Sequence, residues 1–233
     1  MNHQELRRYN LHEKVFDCLE AGDASGFVKN YGELYQGNPN EPWIHHIDGF
    51  MLSETGDQAS AIPLLRLAVK GLPERIDPKI SLGIALMKNA QNDEAENVLE
   101  QALAIEPDSF LALTNLACVL LTRVKNACPE RAEEMLRRAD KLTPDDASVW
   151  ANLGHALAQQ GKKTDAHATL LRAINLDKTG EVCRRIFLHY PELEEAVNSR
   201  LFFLDIIADL KWVKENGRPP TVNPESDKDA SSR

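Results

Sequence analysis

A small residue returns at a fixed step along most of this chain, and that recurrence limits the fold more than any other feature. Gly49, Ala61 and Ala68 are followed, each at the same step, by Gly83, Ala95 and Ala102. The register passes on through Ala117, then through Ala132 and Ala139 after a three-residue insertion, to Gly154, Ala166 and Ala173. Prolines keep the same pace: Pro39, Pro73, Pro107 and Pro144 precede Lys178 at that step, apart from the longer one between Pro107 and Pro144. Within the copy from Ala147 to Lys178, Trp150, Leu153, Gly154 and Leu157 recur at three- and four-residue steps and so share one stripe of a helix. Gly161 breaks that helix, and a second carries Ala166, Leu170 and Ala173 at helical spacing. The small residues fall where two antiparallel helices must approach closely. Leu52, Leu65, Leu82, Leu86, Leu99, Leu116, Leu120 and Leu136 hold the core places of the earlier copies. One such unit cannot bury its stripe alone, so the copies must stack.

An aromatic or large apolar residue, Leu-Gly, a further apolar residue, then spaced alanines and a proline over about 34 residues resembles the tetratricopeptide repeat. The resemblance implies an all-α, right-handed superhelical solenoid of antiparallel helix pairs with a C-terminal capping helix. The expected division is a degenerate N-terminal helix pair over 1–39 and four repeats over 40–178 (about 42–75, 76–109, 110–146 and 147–178). Capping helices over 179–216 and a disordered tail over 217–233 complete it.

The two ends depart from the pattern. Leu11, Val15, Phe16 and Leu19 have helical spacing, and Gly22-Asp23 stands one repeat length before Gly56-Asp57. Phe27, Tyr31 and Leu34 then replace the small residues, which suits a terminal unit packed on one side only. In the next unit Pro42 and Pro63 are each placed near a helix start, where a proline is tolerated. The three-residue insertion lies in a surface turn before Pro129, which opens a charged helix read as a solvated outer face with ion pairs along the helix. After Lys178, Val182, Ile186 and Phe187 predict a short helix ending near Tyr190-Pro191, and a longer one follows from Glu192 to about Glu215. Phe202, Phe203, Ile206, Ile207, Leu210 and Val213 gather on one side of it, while Leu201, Leu204, Ala208 and Trp212 fall largely on another. One last repeat covers a single side. Leaving the other in water costs several kcal/mol at about 25 cal/mol per Å², so that side is expected to pair with a second copy of the chain. The chain's own groove and a partner protein are the alternative coverings.

Charge and motifs narrow the function. A net charge of −9 disfavours nucleic acid and anionic membrane as partners. No window reaches the roughly 18 apolar residues of a membrane span, so no membrane insertion is expected. The start has no apolar leader, and Cys18, Cys118, Cys128 and Cys183 show no paired spacing, so a cytoplasmic protein with reduced thiols is expected. Phosphate-loop, zinc-protease and nucleophile-elbow patterns are missing. His45 and His46 are adjacent and point apart on a helix, which is poor geometry for a metal. Neither cofactor, metal nor catalytic residue is expected, and the chain is read as not an enzyme.

The resemblance implies that the first helix of each repeat lines a concave groove for a peptide or helix. In register, the candidates are Tyr9, His12 and Phe16, then Trp43, His46, Phe50 and Ser53, then Asp77, Ile80, Ser81, Ile84 and Lys88. Leu111, Asn115 and Cys118, followed by Ser148, Asn152 and His155, continue the series. In this family a terminal carboxylate is gripped by Lys and Arg on successive first helices, assisted by Asn. Here those basic places hold His46, Asp77, Ile80, Leu111 and Ser148, so acidic tails of heat-shock chaperones are not expected to bind. Asn115 and Asn152 do match family asparagines that bond a ligand backbone. The resulting expectation is a non-enzymatic adaptor, chaperone or co-chaperone work included, that binds a helical or extended apolar segment. The alternative is a self-assembling scaffold joined through its C-terminal helix.

Overall fold

The computed structural model describes residues 3–35, 40–123, 127–194, 196–198, 200–201 and 204, and no strand occurs among them. Five helix pairs follow in chain order: α1 His3–Ala21 and α2 Ala24–Tyr35, α3 Pro42–Glu54 and α4 Gln58–Gly71, α5 Asp77–Lys88 and α6 Asn92–Ile105. Then come α7 Phe110–Thr122 with α8 Pro129–Leu142, and α9 Ala147–Gln159 with α10 Lys163–Leu176. A shorter helix, α11 Glu181–His189, and a 3₁₀ turn at Pro191–Leu193 close the array.

The recurring small residues do what their spacing demands. A Cβ added at Gly49, Gly83 or Gly154 would lie 2.7, 2.6 and 2.6 Å from the Cγ of Leu65, Leu99 and Leu170 respectively. The leucine of each second helix therefore sits in a notch that only the smallest side chains leave open, and larger ones would force the pair apart. Ala117, fully buried, holds this place in the third copy. The turn between helices is equally periodic: Gly22, Gly56, Ala90 and Gly161 all have left-handed backbone. Glycine adopts that conformation freely, whereas Ala90 adopts it with strain. Asp23 and Asp57 then open the second helices by accepting the backbone N–H of Gly26 at 2.9 Å and of Ser60 at 3.1 Å.

Successive first helices touch one another along the whole array, from α1–α3 to α9–α11. The second helices make no comparable contacts among the described residues. The stack therefore curves with α1, α3, α5, α7, α9 and α11 on its inner side. One apolar core runs unbroken from Ala61 to Ala166, which shows that the inserted residues before Pro129 leave the stacking intact. Smaller cores finish each end, around Val15, Ile44 and Ile47 and around Leu170, Ile174, Val182 and Cys183.

Two expectations need correction. The charged residues of α8 pair mainly between helices: Arg131 meets Glu96 at 2.6 Å and Glu100 at 2.7 Å on α6, while Arg137–Glu133 alone among the ion pairs of α8 lies along it. The repeat sets these side by side across neighbouring outer helices, a spacing that a single-helix reading overlooks. Pro63 lies well inside α4, a full turn beyond its start, and the helix continues through it.

The C-terminal apolar face expected at Phe202, Phe203, Ile206, Ile207 and Leu210 lies outside the described residues, as does the tail over 217–233. What precedes it is well anchored. The buried Asp177 carboxylate accepts the backbone N–H of Thr179 and Gly180, each at 3.0 Å, and of Cys183 at 2.8 Å, fixing the start of α11. Burial alone would raise this carboxyl, but the Cys183 and Thr179 N–H groups hold it below its ordinary value. Among the described residues no helix is long and apolar enough to cross a membrane.

Candidate functional site

The inner face divides into two ends and a middle. At the N-terminal end six aromatic or imidazole rings from α1 and α3 interlock. His12 lies 4.4 Å from Trp43 and 4.8 Å from Phe16, Phe16 lies 5.0 Å from Phe50, and Tyr9 lies 5.7 Å from Trp43, between ring centres. The Arg75 guanidinium covers Tyr9 at 4.0 Å. A chain of hydrogen bonds runs through this cluster: Ser81 Oγ to His46 Nε2 at 2.8 Å, His46 Nδ1 to His12 Nε2 at 2.7 Å, and His12 Nδ1 to Glu13 Oε1 at 3.2 Å.

Its direction follows from elementary chemistry. A carboxylate only accepts, so His12 carries its proton on Nδ1. A neutral His12 then accepts at Nε2 from His46 Nδ1–H, and His46 accepts in turn from the Ser81 hydroxyl. Every member is satisfied. Burial first, then the charge of Arg75, lowers His12 to about 3, and burial, then His12, lowers His46 to about 3, so both rings are neutral near pH 7.

The C-terminal end carries a second chain. Gln159 Nε2 donates to the Leu121 carbonyl at 3.1 Å, which fixes the orientation of its carboxamide. The same nitrogen donates to His155 Nε2 at 2.9 Å, so His155 carries its proton on Nδ1 and donates to the Tyr190 oxygen at 2.7 Å. Asn152 Nδ2 contacts Cys118 Sγ at 3.3 Å, and the thiol is pushed up by burial against the opposing charge of Arg185. Arg185 and His189 of α11 face Asn152 and His155 of α9 across a slot floored by Ala151, Leu170 and Ile186.

Between these ends lies the middle of the face. Leu111, in register with Tyr9 and Trp43, is 57% exposed, and Ile84 and Asn115 are half-buried. The Asn115 carboxamide donates to the Leu111 carbonyl of its own helix at 2.8 Å.

The structure thus brings together Tyr9, Phe16, Trp43, His46 and Phe50, and separately Asn152 and His155, but not as one open groove. Trp43 is 5%, His46 2% and Ile80 6% exposed, so these three are interior rather than lining. Tyr9 and His12 of α1 together with Arg75 cover Trp43, and His12 stacks on His46 while Ser81 bonds it. Sequence reasoning missed Arg185, His189 and Tyr190. A signal existed, for His189 stands one repeat length after His155, and the register outlasts the repeat signature. Among the described residues no group of His, Cys, Asp or Glu could hold a metal ion.

Two tetratricopeptide repeat family models match the chain, over residues 52–117 and 121–180, together more than half of it. No curated protein sequence matches. Among solved structures, MamA 41-end from Desulfovibrio magneticus RS-1 aligns with 75% of this chain and 97% of its own, at TM-score 0.57 and 19% identity. MamA MSR-1 aligns with 74% of this chain and 98% of its own, at TM-score 0.55 and 20% identity. A mutant O-GlcNAc transferase from Thermobaculum terrenum aligns with 62% of this chain and 28% of its own, at TM-score 0.51 and 21% identity. These likenesses show the fold.

Proposed function

Because the chain belongs to the tetratricopeptide repeat family, we propose that it is a non-enzymatic adaptor whose concave face receives an apolar helical or extended segment of a protein partner. One observation carries this reading: the exposed Leu111 sits in the middle of the inner face, between an N-terminal end closed by rings and a C-terminal end lined with polar groups. An apolar anchor flanked by polar positioning groups suits a segment held by a few side chains. Chaperone or co-chaperone work is one form of this activity, acting in the cytosol. The acidic charge favours protein over nucleic acid as partner.

Peptide selection from a random library tests it. The wild-type chain should enrich peptides with an apolar anchor, and Leu111→Glu should abolish the enrichment. Leu67→Glu, at a leucine 49% exposed on the outer α4, should leave it intact. Equal losses at both positions would sink the groove reading.

A second reading is a homodimer formed through Phe202, Phe203, Ile206, Ile207 and Leu210, favoured by their one-sided spacing. Sedimentation decides it: Phe203→Glu with Ile207→Glu should turn a dimer into a folded monomer. A wild-type monomer at tens of micromolar would dismiss it.

A further inference from the structure

The two hydrogen-bond chains of the inner face differ in what they tie together. The first lies within the packed helices α1, α3 and α5. The second reaches the end of the array: His155 Nδ1–H of α9 donates to the oxygen of Tyr190, the residue that closes α11. That helix is held differently at its two ends. Its start is fixed by the Asp177 carboxylate, which accepts the Cys183 N–H at 2.8 Å, and Gly180 before it has left-handed backbone. At the far end Leu188 is 77% exposed, and the bond to His155 is the hydrogen bond to α9 among the described residues. Between the two ends, Ile186 packs with Ala151 and Leu170.

A second proton on His155 is opposed by its neighbours. The Gln159 amide nitrogen donates to His155 Nε2 at 2.9 Å, and its bond to the Leu121 carbonyl keeps it from turning its oxygen there. Protonation therefore sets donor against donor. Arg185 and His189 of α11 line the same slot, and the His189 ring centre is 6.4 Å from that of His155. Asn152 of α9 is neutral and contacts Cys118 of α7, whose thiol burial pushes up. Beyond Tyr190, Lys163 and His167 of α10 are also basic, and Glu192 is the one carboxylate lining either cavity among the described residues. Burial first, then the charges of His189 and Arg185, lower the His155 imidazole below its ordinary value. Arg185 and His189 are exposed, so solvent weakens their share, whereas the Gln159 clash acts at contact distance.

We propose that the contact between His155 and Tyr190 is an acid-sensitive latch. Protonation of His155 frees the Tyr190 end of α11 from α9 and opens Ala151 and Leu170 to solvent, while Asp177 keeps the helix start in place. Once released, His155 regains the ordinary imidazole value of about 6.5, above its value under the closed latch. The closed state is thus fully favoured above about pH 6.5 and loses ground as the pH falls from there toward the lowered value, by up to about tenfold per pH unit. Asp177 stays charged over that range, because the Cys183 and Thr179 N–H groups hold its carboxyl down despite burial.

Methyl and imidazole NMR of the full chain, titrated from about pH 8 to about pH 5, tests it. Ile186 reports the latch, and Ile44 and Ile47 report the N-terminal core. With falling pH, Ile186 should move reversibly to a released position before Ile44 and Ile47 change, following the titration of the His155 imidazole. His155→Gln, which stays neutral, should hold Ile186 in its neutral-pH position throughout. Arg185→Gln with His189→Gln removes both opposing charges, so it should move the His155 titration toward its ordinary value and shrink the acid response of Ile186. In a His12→Phe, His46→Leu background, where acid no longer acts on the N-terminal rings, the Ile186 transition should persist. An Ile186 resonance that ignores pH, or that moves only together with Ile44 at a single midpoint in both backgrounds, would overturn the proposal. A transition that survives in His155→Gln would do the same. If His155→Gln is itself released at every pH, the double variant decides: an unmoved His155 titration and an undiminished Ile186 response there would overturn the latch.

Discussion

The two ends of the inner face use the same parts to opposite effect. At the N-terminal end, His12, His46, Ser81 and Glu13 form a closed chain among packed rings. At the C-terminal end, Gln159, His155 and Tyr190 form a chain that still has a donor to give. A buried polar network that is fully satisfied rigidifies its surroundings, whereas the second chain ends on a half-buried hydroxyl with no acceptor among the described residues. The family register places side chains of successive first helices side by side in both regions. What lies over them decides whether the result is core or surface.

Removing the C-terminal cap, or a buried ring at the N-terminal end, should break the comparison most severely. Deleting residues 179 onward uncovers Leu170, Ala173 and Ile174, which α11 buries, and should lower the unfolding midpoint or cause aggregation. An unchanged melt would overturn the assignment of α11 as a cap. At the other end, Trp43→Ala should cost about 3–5 kcal/mol, the usual range for a buried large aromatic. Leu111→Ala should cost well under about 1 kcal/mol because its side chain is already largely wet. Similar losses at both positions in denaturant titrations would mean that the closed end and the open middle of the face are not distinct.

Acid should separate the ends next. His12 and His46 have folded values lowered to about 3, against about 6.5 for the unfolded chain. The unfolded state therefore binds protons that the folded state refuses. This stability is fully present above about pH 6.5 and falls as the pH drops from there toward 3, by about 2 kcal/mol per neutral ring at pH 5. His12→Phe with His46→Leu should flatten this dependence, and an equally steep profile in the double variant would refute the buried relay.

The smallest contrast concerns the last donor or acceptor of each chain. Ser81→Ala leaves the buried His46 Nε2 without its donor and should cost about 1–3 kcal/mol. Tyr190→Phe leaves only the half-buried His155 Nδ1–H to find water and should cost about 0.5 kcal/mol. If thermal melts rank the two the other way, the C-terminal chain is the structural one.

The helix pairs were legible because their constraint is local and repeated. Gly49, Gly83 and Gly154 must be small to admit Leu65, Leu99 and Leu170, and that need appears at a regular step. Exposure along the inner face was less legible. Trp43 and Leu111 occupy equivalent register positions, yet one is interior and the other mostly open. The difference lies in Tyr9 and His12, which cover Trp43 from the preceding helix pair, and in Arg75 at the end of its own repeat. Tyr190 and Arg185 escaped because they follow the last recognisable copy. Their placement depends on how Asp177 docks α11, a non-periodic contact.

The central claim is that one continuous inner face is closed at α1–α3 and open from Leu111 to Tyr190. Chemical-shift mapping on methyl- and imidazole-labelled full-length protein, with a peptide selected on the wild-type chain, tests it most directly. Perturbation should centre on Ile84, Leu111 and His155 and be absent at Ile44, His12 and His46. Perturbation concentrated at Ile44, His12 and His46, with Leu111 and His155 silent, would contradict it.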